Sequence, residues 1–136
     1  MLKDYLVILA VAAFIRDEKG NILIVKKSPE EKVDGGLWTV PGGKINPKEN
    51  IIDGLIREVQ EEVGLSVSYC KWVGEDVFES GGHWFHGEHF ICSVADTTNV
   101  VLEKKLLEYK WITKEEIETH AFHPNIKKRL LYITQS

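Results

Sequence analysis

The chain predicts an α/β fold: a mixed β-sheet flanked by helices, in one domain spanning residues 1–136. Three observations carry this. Residues 6–15 form an unbroken run of ten apolar residues, as in a strand buried on both faces. Between Asn50 and Gly64, apolar residues recur at helical spacing. Strand-like and helix-like segments then follow in the order strands, helix, strands, helix. A length of 136 residues suits one domain on the usual scale of about 100–200 residues. Hydrophobic residues at 43% and charged residues at 28% exclude a disordered chain, a fibre and a coiled-coil rod.

Each element has its own signal. Residues 5–15 read as the long central strand, and residues 17–21 are a turn cluster. Residues 22–25 are a second apolar run, so the two are expected to pair as a hairpin. Residues 26–36 read as a polar loop, and residues 37–40 as a short extended segment stopped by Pro41-Gly42-Gly43. The helix starts at Asn50, with Asp53 in capping-box position, or one turn earlier at Asn46; Gly64 closes it as a left-handed cap. On a wheel with Glu58 at zero, Val59, Ile52, Val63 and Ile56 fall between about 100° and 160°, giving one apolar stripe. Residues 67–77 and 90–94 read as strands joined through a glycine-containing connection, residues 79–88. Residues 109–112 form a further strand, 114–119 a helical turn behind Thr113, and 126–133 a last helix entered through Pro124.

Composition narrows the setting. Basic residues number 17 and acidic residues 21, a net charge of −4, which argues against a protein that grips long nucleic acid by its phosphates. A polyanionic substrate would need another attractor, and a divalent cation is the obvious one. Cys70 and Cys92 fit neither a disulfide framework nor a four-cysteine zinc site, so a reducing, cytoplasmic setting is expected. The apolar run is too short for a bilayer, which takes about 20 residues. Asp4 after Lys3 spoils the basic start of an export signal. Neither a membrane nor long nucleic acid is an expected partner; a monomer or a homodimer is.

The most informative residues are Arg57, Glu58, Glu61 and Glu62. At i, i+3 and i+4 the glutamates share one helix face, and Glu61 and Glu62 each lie within about 60° of Glu58. Like charges at this spacing repel, and Arg57 compensates one of them. A solvated acidic face explains the three alone; clustered carboxylate oxygens are also what Mg²⁺ or Mn²⁺ requires. The surroundings favour the second reading. Gly43 lies six residues before Glu49, Glu49 eight before Arg57, and Gly64-Leu65 follows Glu62 with one residue between.

With Val59, these positions make residues 43–65 resemble the Nudix box at each of its nine defined positions. The resemblance implies an α/β/α sandwich around a mixed sheet and hydrolysis of a diphosphate linked to another group, with Mg²⁺ or Mn²⁺. It implies that Glu58, Glu61 and Glu62 hold metal together with the Gly43 carbonyl, and that Arg57 orients a glutamate. Glu49 then supports the loop or reaches metal through water, unless it merely caps the helix. Glu58 is the first choice of general base, with Glu103 and Glu108 as alternatives; Glu58, Arg57 and Glu61 form the candidate catalytic set. Pro124-Asn125 resembles a segment of the MutT-type branch in which an asparagine contacts the base. Lys44, Trp84, Phe85 and Asn125 are candidate substrate-binding residues, and Phe78 is a further stacking candidate. His83, His86 and His89 belong either to a substrate-facing loop or, less naturally at strand spacing, to a metal site. The implied substrate is a small nucleotide: a nucleoside triphosphate first, and ADP-ribose or another nucleoside diphosphate sugar second. A non-catalytic nucleotide sensor is the third reading, which an intact box disfavours.

Overall fold

The computed structural model describes residues 5–135. Lys3 and Asp4, which bear on the export reading, lie outside them. The elements are β1 (Ile8–Ile15), β2 (Ile22–Lys27), β3 (Trp38–Thr39), β4 (Gly42–Lys44), α1 (Ile51–Val63), β5 (Val67–Ser80), β6 (His83–Val94), β7 (Leu106–Ile112), a 3-10 turn (Lys114–Thr119) and α2 (Pro124–Ile133). One sheet runs β4-β1-β6-β5 and is mixed; a second runs β3-β2-β7 and is antiparallel. Among the described residues, no helix is long and apolar enough to cross a membrane.

β1 is apolar throughout because both of its faces are covered. Val11, Ala13 and Ile15 pack with Leu55, Val59 and Val63 of α1. Ala12 and Phe14 face the other way, onto Ile22, Ile24 and Trp38 of the second sheet and Leu130 of α2. The result is the expected sandwich, with helices outside and sheets between. Burying each large aliphatic side chain this way contributes about 1.5–3 kcal/mol.

Several expectations need correction. β1 and β2 do not form a hairpin ladder; a single bridge, Arg16 to Ile22, joins their ends before they enter different sheets. Strand β1 already has β4 and β6 at its two edges, so β2 has no edge of it to occupy. As expected, the extended segment stops at Pro41: β3 ends at Thr39, and Gly42-Gly43 open a new strand in the other sheet. The chain turns at Pro41 and continues as β4, with Ala12 opposite Gly42 and Ala10 opposite Lys44. Residues 79–88 are mostly strand. Gly81 and Gly82, at φ 59° and 79°, take both central positions of a two-residue turn, so β5 and β6 form one long hairpin. On α1 the buried face holds Gly54, Leu55, Val59, Glu62 and Val63, while Ile52 and Ile56 are largely exposed. Asn50 is the N-cap, but its side chain makes no capping bond. Gly64 closes the helix in the left-handed conformation, as expected.

The β1–β4 pairing is tight at one point. A Cβ on Gly42 would run into the main-chain carbonyl oxygen of Val11. Backbone cannot swing aside as a flexible side chain can. Gly42→Ala is expected to destabilise the protein by more than about 2 kcal/mol in urea unfolding; an unchanged midpoint would show that the two strands part freely.

Candidate active site

The loop before α1 and the helix itself meet on one guanidinium. Arg57 Nε donates to Glu49 Oε2 at 2.7 Å and Nη2 to Glu49 Oε1 at 2.8 Å, a paired grip. Nη1 donates to Glu58 Oε1 at 2.9 Å and to Glu61 Oε2 at 3.1 Å; Nη2 also reaches the Lys44 carbonyl at 3.1 Å. Glu49 turns back as well, accepting from the Asn46 N–H at 3.0 Å. Thus Glu49 closes the turn that Asn46 starts, within the loop; the N-cap of α1 is Asn50, so Glu49 does not cap the helix. The Arg57 hydrogen bonds hold the Glu49 carboxyl down at about 2, and the Arg57 pKa is raised, chiefly by Glu49.

Glu58 and Glu62 face different constraints. The Glu58 carboxylate lies against Gly43, in space that a Cβ there would fill. Burial raises its pKa, against the lowering effect of Arg57. Glu62 is 6% exposed; Oε1 accepts from the Gly42 N–H at 2.9 Å, and Lys105 Nζ stands 3.7 Å from Oε2. Burial dominates there too, pushing Glu62 up to about 7 despite the Gly42 N–H and Lys105. Glu61 is mostly exposed, with its carboxylate turned to Arg57. Among the described residues, no three His, Cys, Asp or Glu side chains stand converged on one point. Arg57 draws Glu58 and Glu61 to its own Nη1, and Glu62 turns to Gly42. The donor chemistry nonetheless fits a hard divalent ion: carboxylate oxygens, a neighbouring main chain stripped of side chain at residue 43, and no sulfur or imidazole.

A cavity of about 930 Å³ extends from these carboxylates across the sheet face. Its floor is one row of the four-stranded sheet. Lys44 on β4 pairs with Ala10 on β1, Ala10 with Gly87 on β6, and Gly87 with Asp76 on β5. Three inter-strand spacings make this row about 14 Å across. Ala10 and Gly87 keep its middle low. Glu58, Glu62, Gly43, Lys44 and Lys105 line one end; Asp76, Phe78, His123 and Asn125 line the other. Phe85 stacks on Phe78 at 5.0 Å between centroids, and Lys44 Nζ lies 6.0 Å from the Phe85 ring.

The structure therefore brings together Gly43, Lys44, Glu58, Glu62, Phe85 and Asn125, with Arg57 and Glu61 just behind. Trp84 does not join them: it is 52% exposed and does not line the cavity. It neighbours the cavity-lining Phe85 on β6, and alternation sends it to the opposite face. His86 shares that face, while His83 and His89 line the cavity from a strand rather than a loop. Of the alternative bases, Glu103 lies at the rim, 3.7 Å from Lys105, whereas Glu108 sits opposite Lys26 on β7, away from the cavity. Sequence reasoning missed Asp76, Arg129 and the role of His89. The only available signal was the period-two alternation Phe85, Gly87, His89 along β6.

Glu62 makes a stability prediction with a definite sign. Its folded pKa of about 7 lies above the ordinary 4.5, so its contribution is fully present below pH 4.5 and is lost as pH rises through 7. With EDTA present, Glu62→Gln is expected to exceed wild type in stability by about 1–3 kcal/mol above pH 8, and to lose that advantage below pH 5. Thermal unfolding at the two pH values measures it, and an advantage that is the same at both would rule the buried charge out as its cause.

The NUDIX domain family model matches residues 7–132. The 8-oxo-dGTP diphosphatase of Proteus vulgaris is 32% identical over 100 residues, covering 71% of this chain and 85% of that protein. The CTP pyrophosphohydrolase of Escherichia coli (strain K12) is 33% identical over 76 residues, and the match spans 56% of each, so this chain covers little more than half of that relative. Among solved structures, a MutT protein from Methanosarcina mazei Go1 superposes with a TM-score of 0.81 at 30% identity, over 93% of this chain and 91% of that one. The glutamates on one helix, the glycine beside Glu58, the sandwich around a mixed sheet and these likenesses agree: the chain belongs to the Nudix family of pyrophosphohydrolases.

Proposed function

We propose that this Nudix hydrolase cleaves nucleoside or deoxynucleoside triphosphates to the monophosphate and pyrophosphate. One observation carries the reading: a single cavity joins the carboxylate end to an aromatic and polar end, with a floor about as long as one extended nucleotide. Phosphates belong at the Lys44 and Lys105 end and the base beside Phe78 and Asn125. The Proteus relative is named for hydrolysis of a modified deoxynucleoside triphosphate, 8-oxo-dGTP, which supports this choice.

Glu58, Glu61, Glu62 and the Gly43 carbonyl are the residues to hold Mg²⁺ or Mn²⁺. When bound, such an ion neutralises phosphate charge and acidifies a water. Lys44 and Lys105 draw the phosphates in. Arg57 holds Glu58 and Glu61 side by side through its Nη1. Glu58, its pKa raised by burial, accepts a proton from the attacking water more readily than a solvated glutamate does. Water attacks a phosphorus flanking the α–β bridge and gives its proton to Glu58, the bond from that phosphorus to the bridging oxygen breaks, and monophosphate and pyrophosphate separate with the developing charge at the lysine end.

Activity is expected to vanish in excess EDTA and return with Mg²⁺ or Mn²⁺; full activity in chelator would sink the assignment of the carboxylates. Asn125→Ala is expected to weaken kcat/KM on the preferred triphosphate by about 1–3 kcal/mol, the cost of one polar contact in a buried site. Rates on the four common deoxynucleoside triphosphates and on ADP-ribose decide the substrate class. A preference of about tenfold or more for ADP-ribose would replace the triphosphatase reading with the nucleotide-sugar one.

A further inference from the structure

The wall of the cavity opposite the carboxylate end carries a fixed negative group. Asp76 on β5 faces Gly87 across the strand gap, and only a glycine leaves it room: a Cβ at residue 87 would stand 2.5 Å from Asp76 Oδ1. That oxygen pairs with His89 Nε2 at 3.2 Å. The direction of this bond is settled one step further back. Arg129 Nε donates to His89 Nδ1 at 3.0 Å, so Nδ1 is the accepting nitrogen and Nε2 carries the proton toward Asp76. His89 is 2% exposed and packs against Phe14, with ring centroids 5.4 Å apart. Arg129 is held in turn against Gly74 and the Tyr132 ring. The chain Arg129, His89, Asp76 therefore runs from α2 along one face of the sheet to the cavity wall. Burial alone would raise the Asp76 pKa; the His89 bond, with Asn125 and His123 close by, keeps it below the ordinary carboxylate value.

An ionised carboxylate in that position accepts N–H donors and repels carbonyl oxygens. Nucleobases differ in just this respect. Cytosine presents an amino group where uracil presents an oxygen, and guanine carries an amino group that hypoxanthine lacks. We propose that Asp76 is a specificity-determining residue that selects nucleobases bearing an exocyclic amino group, with His89 and Arg129 as positioning residues that hold its carboxylate toward the base. This rests on the nucleotide-hydrolase reading above and adds to it which bases are taken.

Two nearly isosteric pairs test it: dCTP against dUTP and dGTP against dITP, with kcat/KM measured under Mg²⁺. Binding of the corresponding monophosphates, followed by calorimetry without turnover, is the second measurement. Wild type is expected to favour the amino member of each pair by about tenfold or more. Asp76→Asn should narrow both ratios to within about threefold, because an amide meets either an amino group or an oxygen. Asp76→Ser, which is smaller and fits beneath residue 87, serves if the first variant fails to fold. His89→Phe keeps the ring packing but removes the N–H, and should shrink the ratios with less effect on the rate for the oxo members. Wild-type ratios within about threefold overturn the proposal, as does selection that survives both Asp76 variants. Absence of turnover on all four triphosphates overturns the triphosphatase reading instead, and the monophosphate affinities then decide the role of Asp76.

Discussion

Arg57 is the constraint on which the site depends. Its guanidinium meets three carboxylates and a main-chain carbonyl, drawn from the helix, from the loop before it and from β4. Those groups would otherwise repel or drift, since Glu58 and Glu61 share a helix face and Glu49 sits on a separate turn. A lysine in this position would offer a point charge in place of a planar fork, and would lose the side-on grip on Glu49. The same contacts fix how close the loop stands to α1. That closeness is visible at Gly54, where a Cβ would meet the Ile45 side chain and the Glu49 carboxylate.

The two helices divide the labour around the first sheet. α1 covers the face of β1 that carries Val11, Ala13 and Ile15, and delivers Glu58 and Glu62 around the β4 edge. α2 packs on the opposite face and delivers Asn125 and Arg129 to the β5 side. Between them the floor needs small residues, which Ala10 and Gly87 supply. Two rims, each carrying carboxylate, thus face each other over a trough floored by Ala10 and Gly87.

Much of this was legible in the sequence because its signals are local. The residues around Arg57 lie within one 23-residue segment, and Gly64 marks the end of its helix unambiguously. The central burial of β1 follows from its unbroken apolar run. Its neighbours do not follow, because a turn between two apolar runs looks the same whether the second strand pairs or leaves for another sheet. Ile52 and Ile56 misled for a related reason: periodicity records which residues are apolar, whereas the contacts choose the face centred on Leu55 and Val59. Trp84 was promising as an aromatic residue and wrong as a pointing direction, since one residue along a strand reverses the face. The link from Asp76 to His89 to Arg129 spans separations of 13 and 40 residues, and no local pattern announces it.

The layout of the trough bears on how such a protein diversifies. The groups proposed to hold metal and phosphate, apart from Lys105, fall in one short stretch, residues 42–62, where Arg57 ties Glu49, Glu58 and Glu61 together and Glu62 is tied to Gly42. The groups at the far rim come from β5, β6 and α2, and meet that stretch across the row through Ala10 and Gly87 and through Phe85, which stacks on Phe78 and lies 6.0 Å from Lys44 Nζ. On the proposed reading, substitutions at residues 76, 89, 125 or 129 alter the far rim and leave the contacts of Arg57 in place.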